Sequence, residues 1–383
     1  MTQRATAPRL RRRHLQVALG LLWILDGALQ LQPYMFVRGS DGFLGPVAQN
    51  TMGPPNVLTD FLRAATTVLV AHQDLATVAI AAVQIGLGAG LLWRRSVRAA
   101  LGASAIWAVG VWIVGEGVGQ LVFPQASMLT GAPGAAAVYA VLAVVLWPPA
   151  PAEGSPGRAG RGGRGLLRGP GDRIGWGRAA WAVLWCATAL LELEHANWAP
   201  NAISAQLHHA AAGQPGWLAY LDHAAAAAVS GAGTQAAFGL LVVEFAIGWG
   251  VLRPATRRFA LGSGAVVSLV LWLSGQSLGG VLTGRGTDPS LGPAMVLLAV
   301  ALWPSPTPSH AGDAAGEALV SRSRGVAAVV TSAAERVRLD IVAAGTGVTG
   351  RRDWPSTRLT QGESSKSEAH RRRPSSRATE KTM

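Results

Sequence analysis

The chain has 383 residues; half of them are apolar, 14% are charged, and the formal net charge is +13 at pH 7. A basic balance can indicate nucleic-acid binding, but here the arginines lie in short segments beside long apolar blocks. A bilayer core about 30 Å thick is crossed by about 20 apolar helical residues. The composition therefore predicts a membrane protein and argues against a nucleic-acid partner. With one cysteine, Cys186, a disulfide framework or cysteine metal cluster is excluded within one chain.

Apolar blocks along the chain predict an all-α membrane protein with eight transmembrane helices. The blocks cover residues 15–33, 75–93, 99–122 and 133–148, and then residues 179–196, 236–253, 259–282 and 291–304. No sustained alternation of apolar and polar residues indicates a strand. The first block follows a basic segment, as in a signal peptide, but Asp26 interrupts it and no suitable cleavage site follows. We therefore predict an uncleaved span.

The two sets of four blocks resemble each other in sequence. Residues 77–122 align without a gap with residues 237–282, and each set ends in Leu-Trp-Pro, at Pro148 and Pro304. Four spans per set is an even number, so both copies are predicted to insert in the same orientation. The sequence thus predicts two parallel four-helix repeats rather than inverted ones.

The arginines predict the orientation in the membrane, because cytoplasmic loops carry an excess of basic residues. The N-terminal segment, the segment between the repeats, and the loops 94–98 and 253–258 are rich in arginine, whereas the opposite loops hold few. Both termini are therefore predicted to be cytoplasmic. The opposite loops are predicted to carry short interfacial helices, over residues 57–71 and 217–230.

Four domains follow from these patterns. They are a first membrane repeat (1–148), a cytoplasmic linker rich in Gly, Arg and Pro (149–177), a second membrane repeat (178–304) and a cytoplasmic tail (305–383). Within the tail, residues 315–343 are predicted to form a helix. The basic remainder lacks the apolar residues that would offset the entropy of ordering, so disorder is predicted there.

Polar side chains inside the apolar blocks are the candidates for function, since a charge at the bilayer centre costs about 2.5–3.5 kcal/mol. At 1.5 Å of rise per residue, Asp26 is predicted near the middle of the membrane. We predict one polar cluster per repeat, open toward the outer face. The first cluster comprises Asp26, Gln30, Gln84, Glu116 and Gln120, and the second comprises Glu192, Glu244 and Gln276. The alternative is that these groups only form interhelical hydrogen bonds.

Glycines four residues apart predict close packing of helices. They are Gly86 and Gly90, Gly115 and Gly119, and Gly275 and Gly279. A phosphate-binding role is disfavoured because no strand precedes them. His195, His208 and His209 lie on the outer side of the second repeat, but they lack metal-ligand spacing, so no metal site is predicted.

Two segments resemble a known family. Residues 18–30 (ALGLLWILDGALQ) resemble the first helix of DoxX-like (DoxX/DoxD) integral membrane proteins, and residues 244–250 with the following Arg257 and Arg258 resemble its second helix. Family members are four-helix units, so the chain would hold two in tandem. The first copy departs from the family pattern, with Gln84 in place of the acidic residue.

The resemblance implies a membrane subunit of a quinone- or thiol-linked redox system. It would have a quinone as candidate cofactor and redox proteins as partners. The arginine, alanine and glycine usage is typical of a bacterium with a high-GC genome, which places the chain in the inner (plasma) membrane. The residues leave open whether the chain is an enzyme. The alternatives are a proton-coupled small-molecule transporter and a non-catalytic membrane scaffold.

Overall fold

The structure is a computed structural model that describes residues 12–39, 42–45, 57–119, 121, 125–148 and 170–304. These residues belong to one compact unit, which runs from Met1 to Ser305. The predicted tail, including its helix over residues 315–343, lies outside the described residues. Most of the predicted linker lies outside them too, but a helix begins at Pro170, within the segment predicted as linker.

The described residues form eleven α-helices and contain no β-strand. In the first half these are α1 (Arg12–Leu29), α2 (Val57–Ala71), α3 (Gln73–Leu92), α4 (Val97–Val114) and α5 (Ala135–Val145). In the second half they are α6 (Pro170–Leu191), α7 (Ala202–Ala210), α8 (Gly216–Ala228), α9 (Gly233–Gly250), α10 (Arg257–Leu273) and α11 (Leu291–Leu302). Short 3-10 turns follow several of them, at Pro33–Phe36, Met128–Thr130, His195–Trp198 and Ser277–Thr283.

Each predicted block coincides with a helix, but the helices differ in their ability to cross a membrane. Among the described residues, α3, α4, α6, and α10 with its following 3-10 turn, are long and apolar enough to do so. A fifth span results if α8 and α9, which meet at 105°, form one broken crossing. The chain is therefore described as a helical membrane protein with four to five candidate spans, and eight full crossings stay a prediction.

The short helices α5 and α11 lie at the centre of the molecule, against each other and against α1 and α6. Val138, Leu142 and Leu298 on these helices are fully buried. Large exposed apolar side chains lie instead on the surrounding helices, as with Ile106 on α4 and Phe259 on α10, both 78% exposed. Such a surface needs a bilayer to cover it, so the long helices form the lipid-facing layer around two short central ones.

Helices α1 and α3 run antiparallel and approach each other through glycines. A Cβ added to Gly20 would lie 3.0 Å from the carbonyl oxygen of Gly88, and one added to Gly27 would lie 2.9 Å from that of Ala81. In the second half, α6 and α9 approach in the same way at Gly248. Small residues let two backbones pack at this distance. These glycines were not among those predicted.

The glycines that were predicted to pack helices have other surroundings. Because α4 ends at Val114 and not near residue 122, Gly115 and Gly119 lie beyond the helix, and Gly275 and Gly279 likewise follow α10. Gly119, Gly275 and Gly279 have φ values of +64°, +78° and +71°, which favour glycine in tight turns. The packing prediction is wrong for these three. A Cβ added to Gly86 would meet open space, whereas one added to Gly90 would lie 3.0 Å from the Cβ of Ala100.

The two halves make matching contacts. The indole Nε1 of Trp112 donates to the carbonyl oxygen of Pro133 at 2.7 Å, and that of Trp272 donates to Pro289 at 2.6 Å. Each bond joins the third long helix of a half to the loop before its central short helix. Trp112 and Trp272, which are aligned in the sequence, therefore make the same kind of hydrogen bond.

Substitution of Gly88 by alanine is expected to destabilise the protein, whereas the same change at Gly86 is not. A Cβ at Gly88 would lie 2.5 Å from the carbonyl oxygen of Gly20 and 3.0 Å from the amide nitrogen of Ile24. The helices must therefore separate, at a cost of about 1–3 kcal/mol. Gly86→Ala places its methyl group in open space on the same helix and gains about 0.5–1 kcal/mol of helix propensity. Thermal unfolding in detergent would measure both, and equal melting temperatures would contradict the packing assignment.

Candidate functional site

A polar cavity of about 290 Å³ lies where the first half meets a loop of the second. Glu116 and Thr130 from the first half line it, together with Arg285 and Asp288 from the loop that precedes α11. The guanidinium of Arg285 lies 5.5 Å from the ring centre of Tyr34, which lines the same cavity. The cavity is thus built by both halves of the chain.

A smaller chamber of about 80 Å³ continues this cavity inward, and Glu116 and Asp288 line both. The chamber adds Asp26, Gln30 and Gln84. Four predicted members of the first cluster are therefore brought together. The fifth, Gln120, lies outside the described residues.

Three carboxyl groups meet in the chamber. Asp26, Glu116 and Asp288 lie within electrostatic range of one another. The hydroxyl of Tyr139 donates a hydrogen bond to Oδ1 of Asp26 at 3.4 Å, and the same tyrosine ring packs edge-on against Trp23 with ring centres 4.8 Å apart. The described residues form ion pairs elsewhere, but the structure gives no basic partner to these acids.

Two of the acids lie at the start of the central helices. Oε1 of Glu116 accepts a hydrogen bond from the amide of Ala136 in the first turn of α5, at 3.1 Å. Oδ1 of Asp288 accepts one from the amide of Ser290, which precedes α11, at 2.6 Å. Helix N-termini carry a partial positive charge that stabilises carboxylates. The helices therefore fix the direction in which these acids point.

Asp288 lies in the loop between α10 and α11. Burial raises the pKa of its carboxyl group, and hydrogen bonds from Thr287 and Ser290 oppose part of that rise. A carboxyl group with a raised pKa keeps its proton to higher pH than a solvent-exposed one does. Asp288 therefore presents a more weakly acidic group to the polar cavity that it lines.

Several polar atoms of the site have no hydrogen-bond partner among the described residues. They are Oε2 of Glu116, Oε1 of Gln30 and Oε1 of Gln84. Buried polar atoms are normally paired, and an unpaired one costs about 1–3 kcal/mol. Atoms of this kind that line a cavity are therefore available to a bound molecule.

An apolar cavity of about 300 Å³ adjoins the acid chamber. Ile80, Trp107 and Gly110 line it, and Gln30 and Gln84 line both it and the chamber. The Nε1 of Trp107 is a further buried donor without a partner. The two glutamines thus stand between a hydrocarbon-like space and a group of three acids.

The second half contains a corresponding apolar cavity of about 390 Å³. Its lining residues Leu240, Val267, Val270, Leu271 and Ser274 align with Ile80, Trp107, Gly110, Val111 and Val114 of the first cavity. Glu192 and Glu244 do not line it. The second cavity is therefore separate from the acids of its own half.

Glu192 and Glu244 form a pair in the interior of the second half. They are 1% and 0% exposed and lie within electrostatic range of each other. Among the described residues Oε1 of Glu192 has no hydrogen-bond partner, and the carboxyl group of Glu244 lies near the Thr188 hydroxyl without forming a well-aligned hydrogen bond. Gln276, the third predicted member, instead donates to the carbonyl oxygen of Met128 at 2.8 Å and accepts from Ser290 at 3.0 Å. The structure therefore places Gln276 in the contact between the halves.

Three residues of the site were not predicted from the sequence: Tyr139, Arg285 and Asp288. Tyr139 is one of three tyrosines in the chain and lies inside an apolar block, which makes its hydroxyl group conspicuous. Asp288 comes just before Ser290 and the apolar run of α11, a pattern typical of a helix N-terminus. Neither signal reveals that the loop reaches the other half. Among the described residues, no group of three or more His, Cys, Asp or Glu is placed to hold a metal ion.

No family model, curated protein or solved structure matches the chain. The function of the site is therefore inferred from its geometry.

Proposed function

We propose that the chain is a multi-pass protein of a bacterial inner membrane, with eight crossings arranged as two parallel four-helix repeats and both termini in the cytoplasm. The matched hydrogen bonds of Trp112 and Trp272 support the repeat. The coincidence of all eight apolar blocks with helices supports the number of crossings. A DoxX-like type, two units in tandem, is part of this proposal and is carried by the sequence resemblance alone.

We further propose that the first half binds a quinone as a membrane subunit of a redox system. The observation that carries the proposal is the junction of the apolar cavity with the acid chamber at Gln30 and Gln84. A quinone has an apolar tail and ring, and two oxygens that need hydrogen-bond donors or protons. The tail fits the apolar cavity, and the ring oxygens reach the polar atoms at its end.

The residues at the junction suit both redox states of such a molecule. The unpaired Nε1 of Trp107 donates to an oxygen of the oxidised ring, whereas the unpaired Oε1 atoms of Gln30 and Gln84 accept from the hydroxyl groups of the reduced ring. Reduction consumes two electrons, supplied by a redox partner protein, and two protons. Asp26 and Glu116 are placed to pass protons from the polar cavity to the ring.

Binding of a short-chain quinone with a decyl tail tests this function. The purified chain in nanodiscs of neutral lipid is expected to bind it saturably, and proton uptake from a weakly buffered medium is expected when the bound quinone is reduced. Decanol, which has the tail without the ring, serves as the control and should compete weakly. If the quinone partitions only into the lipid, with no saturable component, the redox proposal fails.

A proton-coupled transporter is the second candidate, because three acids line a cavity that opens on a polar mouth. It predicts flux of a small solute into proteoliposomes that depends on a pH gradient, without any quinone. A non-catalytic scaffold predicts neither flux nor quinone binding. The quinone titration and the flux measurement together separate the three functions.

A further inference from the structure

A groove of about 480 Å³ lies between α9 and α10, close to the turn that joins them. Its walls are mainly apolar and include Ala246, Trp249 and Phe259. Trp249 is 50% exposed and Phe259 is 78% exposed, so both side chains border the groove on the lipid-facing surface. The groove is separate from the two apolar cavities described above, apart from Val243, which borders one of them.

Arg253 lines the turn end of this groove, with its guanidinium carbon 5.9 Å from the ring centre of Trp249. Arg257 lies outside the lining, next in sequence to Thr256, which lines the groove. Nε of Arg257 donates to the carbonyl oxygen of Val251 at 3.1 Å, and the two terminal NH2 groups of the guanidinium take no part in this hydrogen bond. Arg178 of α6 lies within electrostatic range of Arg257, and its buried Nε has no partner.

No acidic side chain follows Glu244 until Asp288, so the turn and both flanking helix segments lack a carboxylate that could neutralise these arginines. Like charges near one another disfavour each other, and Arg178 lies within electrostatic range of Arg257. Among the described residues no ion pair involves Arg253 or Arg257, so the turn end of the groove is basic beside an apolar wall.

We propose that this groove binds an anionic phospholipid, with its phosphodiester group at Arg253 and Arg257 and an acyl chain along Ala246, Trp249 and Phe259. Basic pockets between transmembrane helices bind anionic headgroups in this way. Arginine presents a planar fork of donors that matches phosphate oxygens. The apolar wall selects a lipid over free phosphate, because only a lipid can fill it.

The equivalent turn of the first half does not have this pattern. Trp93 and Val97 stand where Arg253 and Arg257 stand, and the arginines of that turn are instead Arg94, Arg95 and Arg98. The lipid site is therefore assigned to the second half alone. It is independent of the proposed quinone site in the first half.

Native mass spectrometry of the full chain in detergent tests the site with short-chain phosphatidylglycerol, short-chain phosphatidylcholine and inorganic phosphate as probes. The wild type is expected to bind phosphatidylglycerol about tenfold more tightly than phosphatidylcholine. Arg253→Gln combined with Arg257→Gln should reduce that preference to about twofold or less. Arg94→Gln combined with Arg95→Gln removes the same charge at the matching turn and should leave the preference unchanged.

Arg253→Gln alone keeps the bond between Arg257 and Val251, so it serves if the double variant does not fold; it should lose most of the preference. Trp249→Ala should weaken binding of the lipid without creating a response to inorganic phosphate. Equal losses in the Arg94/Arg95 and Arg253/Arg257 variants would overturn the proposal in favour of a general surface attraction. Displacement of the lipid by millimolar phosphate, or no preference in the wild type, would overturn it as well.

Discussion

Substitution of Gly110 by leucine is expected to abolish quinone binding while leaving the fold intact. Gly110 lines the apolar cavity of the first half, and a Cβ added there meets no atom within 4 Å. A leucine side chain therefore enters the cavity and occupies space required by the tail of the ligand. Loss of the burial of three or four methylene groups, at about 0.8 kcal/mol each, weakens binding by about a hundredfold.

Gly239→Leu is the matched control for this change. Gly239 lines the corresponding cavity of the second half and also has open space around its Cβ position. The Gly239→Leu substitution adds the same side chain to a cavity that Glu192 and Glu244 do not line. Titration of the decyl quinone into nanodiscs should show near wild-type affinity for Gly239→Leu. Equal losses for the two variants would mean that both cavities bind the ligand, and unchanged affinity for Gly110→Leu would place the ligand elsewhere.

The sequence predicts the helices well because apolar blocks and their Gly- and Pro-rich interruptions are local features. It predicts their ends less well. The third predicted block runs to residue 122, but α4 ends at Val114. Gly117 and Val118 have positive φ values of 55° and 60°, whereas the residues of a right-handed α-helix have negative ones. Counting apolar residues cannot distinguish a helix from an apolar turn.

The depth of a residue in a membrane helix follows from its position along the chain, and this is why Asp26, Gln30, Gln84 and Glu116 were predicted to meet. Asp288 could not be found in this way. Its loop reaches the first half through contacts between residues far apart in sequence, including a hydrogen bond from Nε2 of Gln32 to the carbonyl oxygen of Gly286 at 3.1 Å. Packing between the halves is not encoded in any local pattern.

The same limit explains the second predicted cluster. Gln276 was placed beside Glu192 and Glu244 on the assumption that the helix continues through it, as in the alignment with the first half. Helix α10 ends at Leu273, so the side chain of Gln276 turns toward Met128 of the other half. Gln276, which helix periodicity assigned to the second polar cluster, therefore belongs to the contact between the halves, because α10 ends before it.

Each half has a loop that contacts the other half, but the two loops bring different side chains into that contact. The loop before α11 brings Asp288 into the cavity of the first half. The corresponding loop of the first half places Leu129 against Gly275 and along the apolar cavity of the second half. At matched positions, Asp26 is replaced by Thr188. The first half therefore has an additional acid, Asp288, beside its polar cavity. In the second half, the carboxyl pair of Glu192 and Glu244 lies away from the apolar cavity.

This asymmetry predicts opposite results for the same substitution in the two halves. Glu116→Gln keeps an oxygen for the amide of Ala136 but removes a proton carrier from the chamber. Quinone-linked electron transfer in membranes should fall by about a hundredfold, the low end of the range for loss of an acid–base group. Glu244→Gln removes a fully buried ionisable group for which the described residues provide no basic partner. It should leave the rate unchanged and raise the melting temperature, because burial of an unpaired ionisable group costs free energy.

Rates and melting temperatures of both variants, measured on the same preparations, separate a role of the buried acids in electron transfer from a purely structural one. A lower rate with unchanged stability for Glu116→Gln assigns that residue to proton transfer. Equal losses of rate in both variants would mean that the pair of Glu192 and Glu244 also takes part, and that the halves are two working sites. Unchanged rates with altered stability in both would leave the buried acids as structural groups of a scaffold, since only their packing would then have been disturbed.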